Sequence, residues 1–205
     1  MNAALFDLDG VIIDSEGAYS QFWGSIGREY GCAPTFADDI KGTTLTDILT
    51  LHFSDEATRE EVTQKIHDYE ETMKYPLFDH VTEYLEKLHS EGIKCAVVTS
   101  SDDVKMSYLW KQHPKLKGFF DVIVTGSMVK ESKPSPEGYL KAAKMLGTAP
   151  EDCVVFEDSF QGVEAGRRAG AKVIALATTN PADSLADRAD RVIMSFAELL
   201  NEEIR

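Results

Sequence analysis

Phe6-Asp7-Leu8-Asp9-Gly10-Val11-Ile12-Ile13-Asp14-Ser15 follows directly on Ala3-Ala4-Leu5. A short apolar run that stops at charge and then at glycine reads as a buried strand running into a loop. Alternate side chains of an extended chain project to one side. Asp7 and Asp9 therefore meet at the carboxyl end of the strand, with Leu8 turned away, and Gly10 lets the chain bend sharply. Two close carboxylates repel, and a shared cation relieves them most simply. A hard divalent ion such as Mg²⁺ takes such oxygen ligands. A calcium loop fails on spacing, because it follows a helix and wants glycine at its sixth position and glutamate at its twelfth. Here Gly10 is fourth from Asp7, Ala18 is twelfth, and a strand precedes.

Outward from this stretch the pattern splits. Ala18, Phe22, Ile26 and Tyr30 recur every four residues, with Tyr19 and Trp23 beside them, so a helix runs from Ser15-Glu16 to a stop at Gly31. Residues 37–74 read as further helices, interrupted by the polar turn Lys41-Gly42-Thr43-Thr44, and no strand pattern occurs from 15 to 75. From Pro76 onward helices (81–91, 103–113, 136–146, 160–169, 196–203) mix with strands (93–98, 121–125, 153–156, 172–176, 191–194). Such alternation predicts an α/β fold with a parallel sheet covered by helices on both faces. Ligands bind such sheets at the carboxyl ends of the strands, which places Asp7, Thr99 and Asp158 at one edge. The division expected is a core of residues 1–14 and 76–205, with residues 15–75 inserted as an all-helical unit.

The chain has 205 residues, enough for one domain with a small insertion. Its formal net charge of −14 argues against nucleic-acid or anionic-membrane partners, and an anionic substrate would need a local cation. Cys32, Cys95 and Cys153 are far apart, with no zinc spacing, and read as free thiols. No basic leader precedes a long apolar segment, and no stretch approaches the roughly twenty apolar residues of a membrane span. The expected setting is cytoplasmic and reducing.

Three further stretches end strands or enter helices. Thr99-Ser100-Ser101 suits a helix cap, with Ser101 or Asp102 as the capping residue, or a binding loop. Lys133-Pro134-Ser135-Pro136 suits a rigid turn with a solvated lysine, or a placed cation. Glu157-Asp158 after Val154-Val155-Phe156 is costly at a buried strand end unless it meets water or a cation.

Taken in order, Asp7-x-Asp9, the Thr99 hydroxyl, Lys133 and Glu157-Asp158 resemble the four motifs of the haloacid dehalogenase-like superfamily, in its β-phosphoglucomutase and sugar-phosphatase branch. Asp7-x-Asp9-Gly10-Val11-x-x-Asp14-Ser15 and Asp158-Ser159-x-x-Gly162-Val163-x-Ala165-Gly166 match in flanking sequence as well. The resemblance implies a Rossmann-like three-layer core with a small helical cap inserted after the first motif. It implies Asp7 as nucleophile and Asp9 as acid and base, both catalytic. Thr99, Ser100 and Lys133 would bind phosphate, and Asp7, Asp9, Glu157 and Asp158 would hold Mg²⁺.

Cap residues decide the reaction. The mutases of this branch carry a histidine in the first cap helix and an arginine in the second cap segment. This chain has Tyr19 and Thr43-Thr44-Leu45 there, and Asp102 where a mutase often has a basic residue. A Mg²⁺-dependent phosphatase of a small phosphomonoester is therefore expected over a phosphomutase. The chain would act as a monomer on a small phosphorylated metabolite. Glu16, Tyr19, Trp23, Lys41, Gly42, Thr43 and Thr44 are the candidate substrate contacts, and each would serve equally as cap core or loop surface. A phospho-acceptor signalling module also uses a strand-end aspartate, but it has no helical insert after its first strand. An inactive binding relative would not need the full polar set.

Overall fold

A computed structural model of the chain describes residues 1–203. Six strands, β1 (Ala3–Phe6), β2 (Lys94–Val98), β3 (Val122–Val124), β4 (Cys153–Glu157), β5 (Lys172–Leu176) and β6 (Arg191–Ile193), pair in the order β3-β2-β1-β4-β5-β6, every pair parallel. This is the Rossmann-type order, and its topological switch lies at the carboxyl end of β1. β1 is buried along its whole length, as a central parallel strand covered on both faces must be.

Alternate residues of the strands feed two different cores. Ala4, Phe6, Cys95, Val97, Val154 and Phe156 face one layer; Leu5, Ala96, Val98, Val155 and Val173 face the other. Phe6 stacks on Phe156 at 4.7 Å and meets Tyr84, Phe120 and Phe196 at its edges or tilted.

Between β1 and β2 the chain runs through α1 (Glu16–Glu29), α2 (Phe36–Asp39), α3 (Leu45–His52), α4 (Glu56–Thr72) and α5 (Val81–Ser90). The first four surround a hydrophobic cluster of their own, built from Trp23, Ile26, Phe36, Ile40, Ile48, Phe53, Val62 and Ile66. Side-chain caps start two of them: Thr44 accepts from the Asp47 N–H and Asp55 from the Thr58 N–H. The remaining helices, α6 (Asp103–Gln112), α7 (Glu137–Leu146), α8 (Phe160–Arg168) and the short α9 (Ala182–Leu185), follow the strands as the alternation predicts.

One expected helix is absent. Residues 196–203 form a 3₁₀ turn over Phe196–Leu199, followed only by a turn and a bend. The Lys87 ammonium takes the carbonyls of Leu199 (2.9 Å) and Leu200 (3.1 Å), and Glu202 is drawn back to Arg191. The Leu199 carbonyl also accepts an i→i+3 bond from the Glu202 N–H at 3.3 Å, so the turn ends with Lys87 capping its last carbonyls.

Phe6→Ala would empty the centre of the aromatic layer and is expected to lower stability by about 3–5 kcal/mol, read from urea denaturation.

Candidate active site

The Asp7 N–H donates to the Phe156 carbonyl at 2.9 Å, which carries the sheet pairing one residue past β1 and pins this side chain at the edge. The chain then turns at once: Ile12 and Ile13 both donate to the Leu8 carbonyl, at 2.8 and 3.0 Å, and Leu8 is buried. Gly10 sits in this turn at φ +78°. A Cβ there would lie 2.0 Å from the Asp158 carboxyl, so only glycine lets the first and last motifs close on each other.

Lys133 sits between two acidic groups. Its ammonium lies 2.5 Å from Asp7 and 2.6 Å from Glu157, and also donates to the Val98 carbonyl at 3.3 Å. Glu157 is fully buried and its oxygens are all in use. Oε1 accepts from Lys133 and the Tyr139 hydroxyl (2.9 Å); Oε2 accepts from the N–H groups of Asp158 and Ser159 and from the Ser159 hydroxyl. A Cβ on Gly162 would lie 1.7 Å from Glu157 Oε1. Burial would raise the Glu157 pKa, but Lys133 and these donors outweigh it and hold the group below the usual range. Asp158 has no such set of donors. Burial, then Glu157 and Asp7, push it well up. Asp7 is raised to about 7, by burial first, with Lys133 opposing and Glu157 and Asp9 adding.

Asp9 has separate partners. Both of its oxygens lie 2.6 Å from the Lys105 ammonium, and the hydroxyls of Ser15 and Ser101 donate to it. Burial is again the largest influence, yet Lys105 and the hydroxyls together hold Asp9 below the usual carboxylate range. Ser15 precedes α1 without capping it, because its hydroxyl is spent on Asp9. Lys105 is itself buried, under the Tyr19 ring at 4.2 Å. The Tyr19 hydroxyl donates to the buried Glu70 at 2.8 Å. Asp102, not Ser101, caps α6, and His67 of α4 lies 3.0 Å from the same carboxyl.

A cavity of about 130 Å³ opens above these groups, between the sheet edge and the helical block. Of the expected residues, Asp7, Asp9, Thr99, Ser100, Lys133, Asp158, Glu16, Tyr19, Trp23, Lys41, Gly42 and Thr43 line it. Glu157 lies behind Lys133, outside the wall. Thr44 also falls outside, its hydroxyl committed to α3 and to Ser132. Thr99 accepts from the Ser101 N–H, and Ser100 donates to the Gly42 carbonyl at 2.7 Å, tying this loop to the helical block. The sequence reading missed Lys105, Tyr139, Ser15 and Glu70. Lys105 and Tyr139 carried a signal, since each falls in register with a buried helical stripe, Met106 and Leu109 in one case and Ala142, Ala143 and Leu146 in the other.

Asp7, Glu157 and Asp158 bring carboxylate oxygens within 4.8 Å of one another, all buried. One lysine faces three buried carboxyls, and burial first, then the neighbouring acidic groups, raise Asp7 and Asp158. An all-oxygen, acidic, partly uncompensated set fits a hard divalent cation. Since Glu157 is saturated by its donors, Asp7 and Asp158 are the side chains free to face the ion.

This fold and this set of side chains define a class. Residues 4–176 match the haloacid dehalogenase-like hydrolase family, and the chain belongs to it. It is 30% identical over 213 residues to a phosphorylated carbohydrates phosphatase of Thermotoga maritima, covering 98% of this chain and 97% of that one. It is 35% identical over 187 residues to hexitol phosphatase A of Escherichia coli, covering 88% and 84%. Its fold is also that of β-phosphoglucomutase from Clostridium difficile, with a TM-score of 0.79 over 97% of this chain and 93% of that one at 22% identity. Among the described residues no helix is long and apolar enough to cross a membrane.

Burial raises both Asp7 (to about 7) and Asp158, so a divalent ion must compete with protons at these carboxyls. The rise in Tm caused by Mg²⁺ is expected to grow between about pH 6 and about pH 8. An equal or larger rise at the acid end would count against an ion at these carboxyls.

Proposed function

We propose that the chain is a Mg²⁺-dependent phosphatase of a small phosphomonoester, with the helical block of residues 15–75 acting as a cap over a core of residues 1–14 and 76–205. The observation that carries this reading is the meeting of Asp7, Asp158 and Lys133 on the cavity floor, although they come from three distant segments. Asp7 and Asp158 would hold the ion by their carboxyls, together with the main-chain oxygen of Asp9. When bound, the ion neutralises charge on the phosphoryl group and on its acidic neighbours.

The Asp7 carboxyl oxygen then attacks phosphorus, the ester P–O bond breaks, and an aspartyl phosphate forms. Asp9, ionised at rest, would take up a proton from solvent and give it to the departing oxygen, and would later receive one from the water that releases phosphate. Lys133 holds the attacking carboxyl in place and, with the Thr99 hydroxyl and Ser100, meets the phosphoryl oxygens as charge builds on them. Glu157 positions Lys133.

The cavity supports hydrolysis over mutase chemistry. Among the described residues no arginine lines it, and its lysines are engaged: Lys133 with Asp7, Lys105 with Asp9, Lys41 with Asp38 at 2.9 Å. A second phosphate would find little free positive charge. A sugar phosphate or similarly small ester matches the volume, and its relatives of known name include phosphatases of such compounds. The cytoplasm is the proposed setting.

A panel of phosphorylated metabolites with Mg²⁺ is expected to yield free phosphate from small monoesters. Conversion of a sugar 1-phosphate to its 6-phosphate without phosphate release would assign a mutase instead. Asp7→Asn is expected to abolish phosphate release while leaving the melting curve cooperative; full activity in that variant would remove Asp7 from the nucleophile's role. Lys133→Met is expected to lower kcat by about 10²–10³.

A further inference from the structure

We infer that Lys105 is a positioning residue for Asp9, acting on departure of the leaving oxygen and not on capture of phosphate. The inference rests on the phosphatase reading above. A lysine is almost never fully buried without a partner, and Lys105 is 3% exposed. Its ammonium does not meet a structural carboxylate. It meets both oxygens of Asp9, equally, at 2.6 Å. With the Ser15 and Ser101 hydroxyls this fixes the direction of the carboxyl completely.

Two lysine–carboxyl pairs therefore stand side by side in one cavity. Lys133–Asp7 sits over the carboxyl cluster, on the phosphoryl side. Lys105–Asp9 faces the helical cap, where Tyr19, Glu70 and Asp102 line the wall. That is the side on which the alcohol must leave. The Tyr19 ring lies over the Lys105 ammonium, at the position where the mutases of this branch carry a histidine. The buried positive charge beside Asp9 thus comes from α6 of the core.

During the step the ester P–O bond breaks, its electron pair passes to the leaving oxygen, and that oxygen takes a proton which Asp9 has first accepted from solvent. Asp9 returns to the ionised state in which Lys105 and the two hydroxyls hold it. These fixed partners keep the carboxyl aimed while the proton moves, so the transfer needs no reorganisation.

The test compares two small substrates with Mg²⁺ present. Glycerol phosphate has a leaving alkoxide that needs a proton. Acetyl phosphate has a leaving carboxylate that does not. kcat/KM reports each reaction up to departure of the leaving group. In Lys105→Met it is expected to fall at least about tenfold further for glycerol phosphate than for acetyl phosphate. Lys105→Arg, which keeps the charge, is expected to retain most of the wild-type ratio. In an Asp9→Asn background, Lys105→Met is expected to leave the ratio where Asp9→Asn alone puts it. Should the methionine variant fail to fold by thermal melting, Lys105→Gln against Lys105→Arg carries the same comparison. An equal fall for both substrates, or an effect that persists without Asp9, overturns the inference alone. A wild-type enzyme that cleaves neither ester overturns it together with the phosphatase reading.

Discussion

The Lys133 ammonium is the charge on which the site depends. It bridges Asp7 and Glu157, which stand at the ends of different strands and would otherwise repel. Removing one partner from a buried ion pair leaves an uncompensated charge and costs far more than the pair contributes. Glu157 is committed further, because it also gathers the N–H groups that open α8 and the Tyr139 hydroxyl from α7. One cation thus ties the ends of β1 and β4 to the helix between them.

Everything that delivers these groups is ordinary sheet geometry. β1 lies between β2 and β4, so the loops after all three strands open onto the same crevice. The helical block brings the opposite wall and has an apolar cluster of its own, with Tyr19 and Tyr69 touching both that cluster and the sheet's. Polar contacts join the two parts on the cavity side, Ser100 to Gly42, Ser132 to the Thr44 N–H and His67 to Asp102, while Met73 and Tyr75 at the end of the block pack into the sheet's apolar layer.

The fold was largely readable because its signals are local. Apolar runs ending in charge marked the strands, and a change of period at residue 76 separated them from the helices before. The 3₁₀ turn over Phe196–Leu199 escaped because its apolar spacing reads as an α-helix, and the Lys87 contact at its end comes from a distant helix. The carboxyls Asp7, Glu157 and Asp158 were legible for a physical reason: acid at the end of a buried strand is costly without a purpose. Their partners were less so. Ser15 reads as a helix cap and serves Asp9 instead, and Lys105 looks like any surface lysine until its register with Met106 and Leu109 is noticed. Thr44 shows the reverse, a residue in a promising turn whose hydroxyl is used up in local structure. Pairings across long sequence separation have no periodicity to betray them.

Gly10 and Gly162 share a property with a wider meaning. At each, the space of an absent methyl group is filled by a carboxyl from another motif: Asp158 at the first, Glu157 at the second. The motifs interlock through what is missing as much as through what is present. A change at either glycine would be felt as a displaced carboxyl elsewhere, whereas the side chains of the helical block lie outside that interlock.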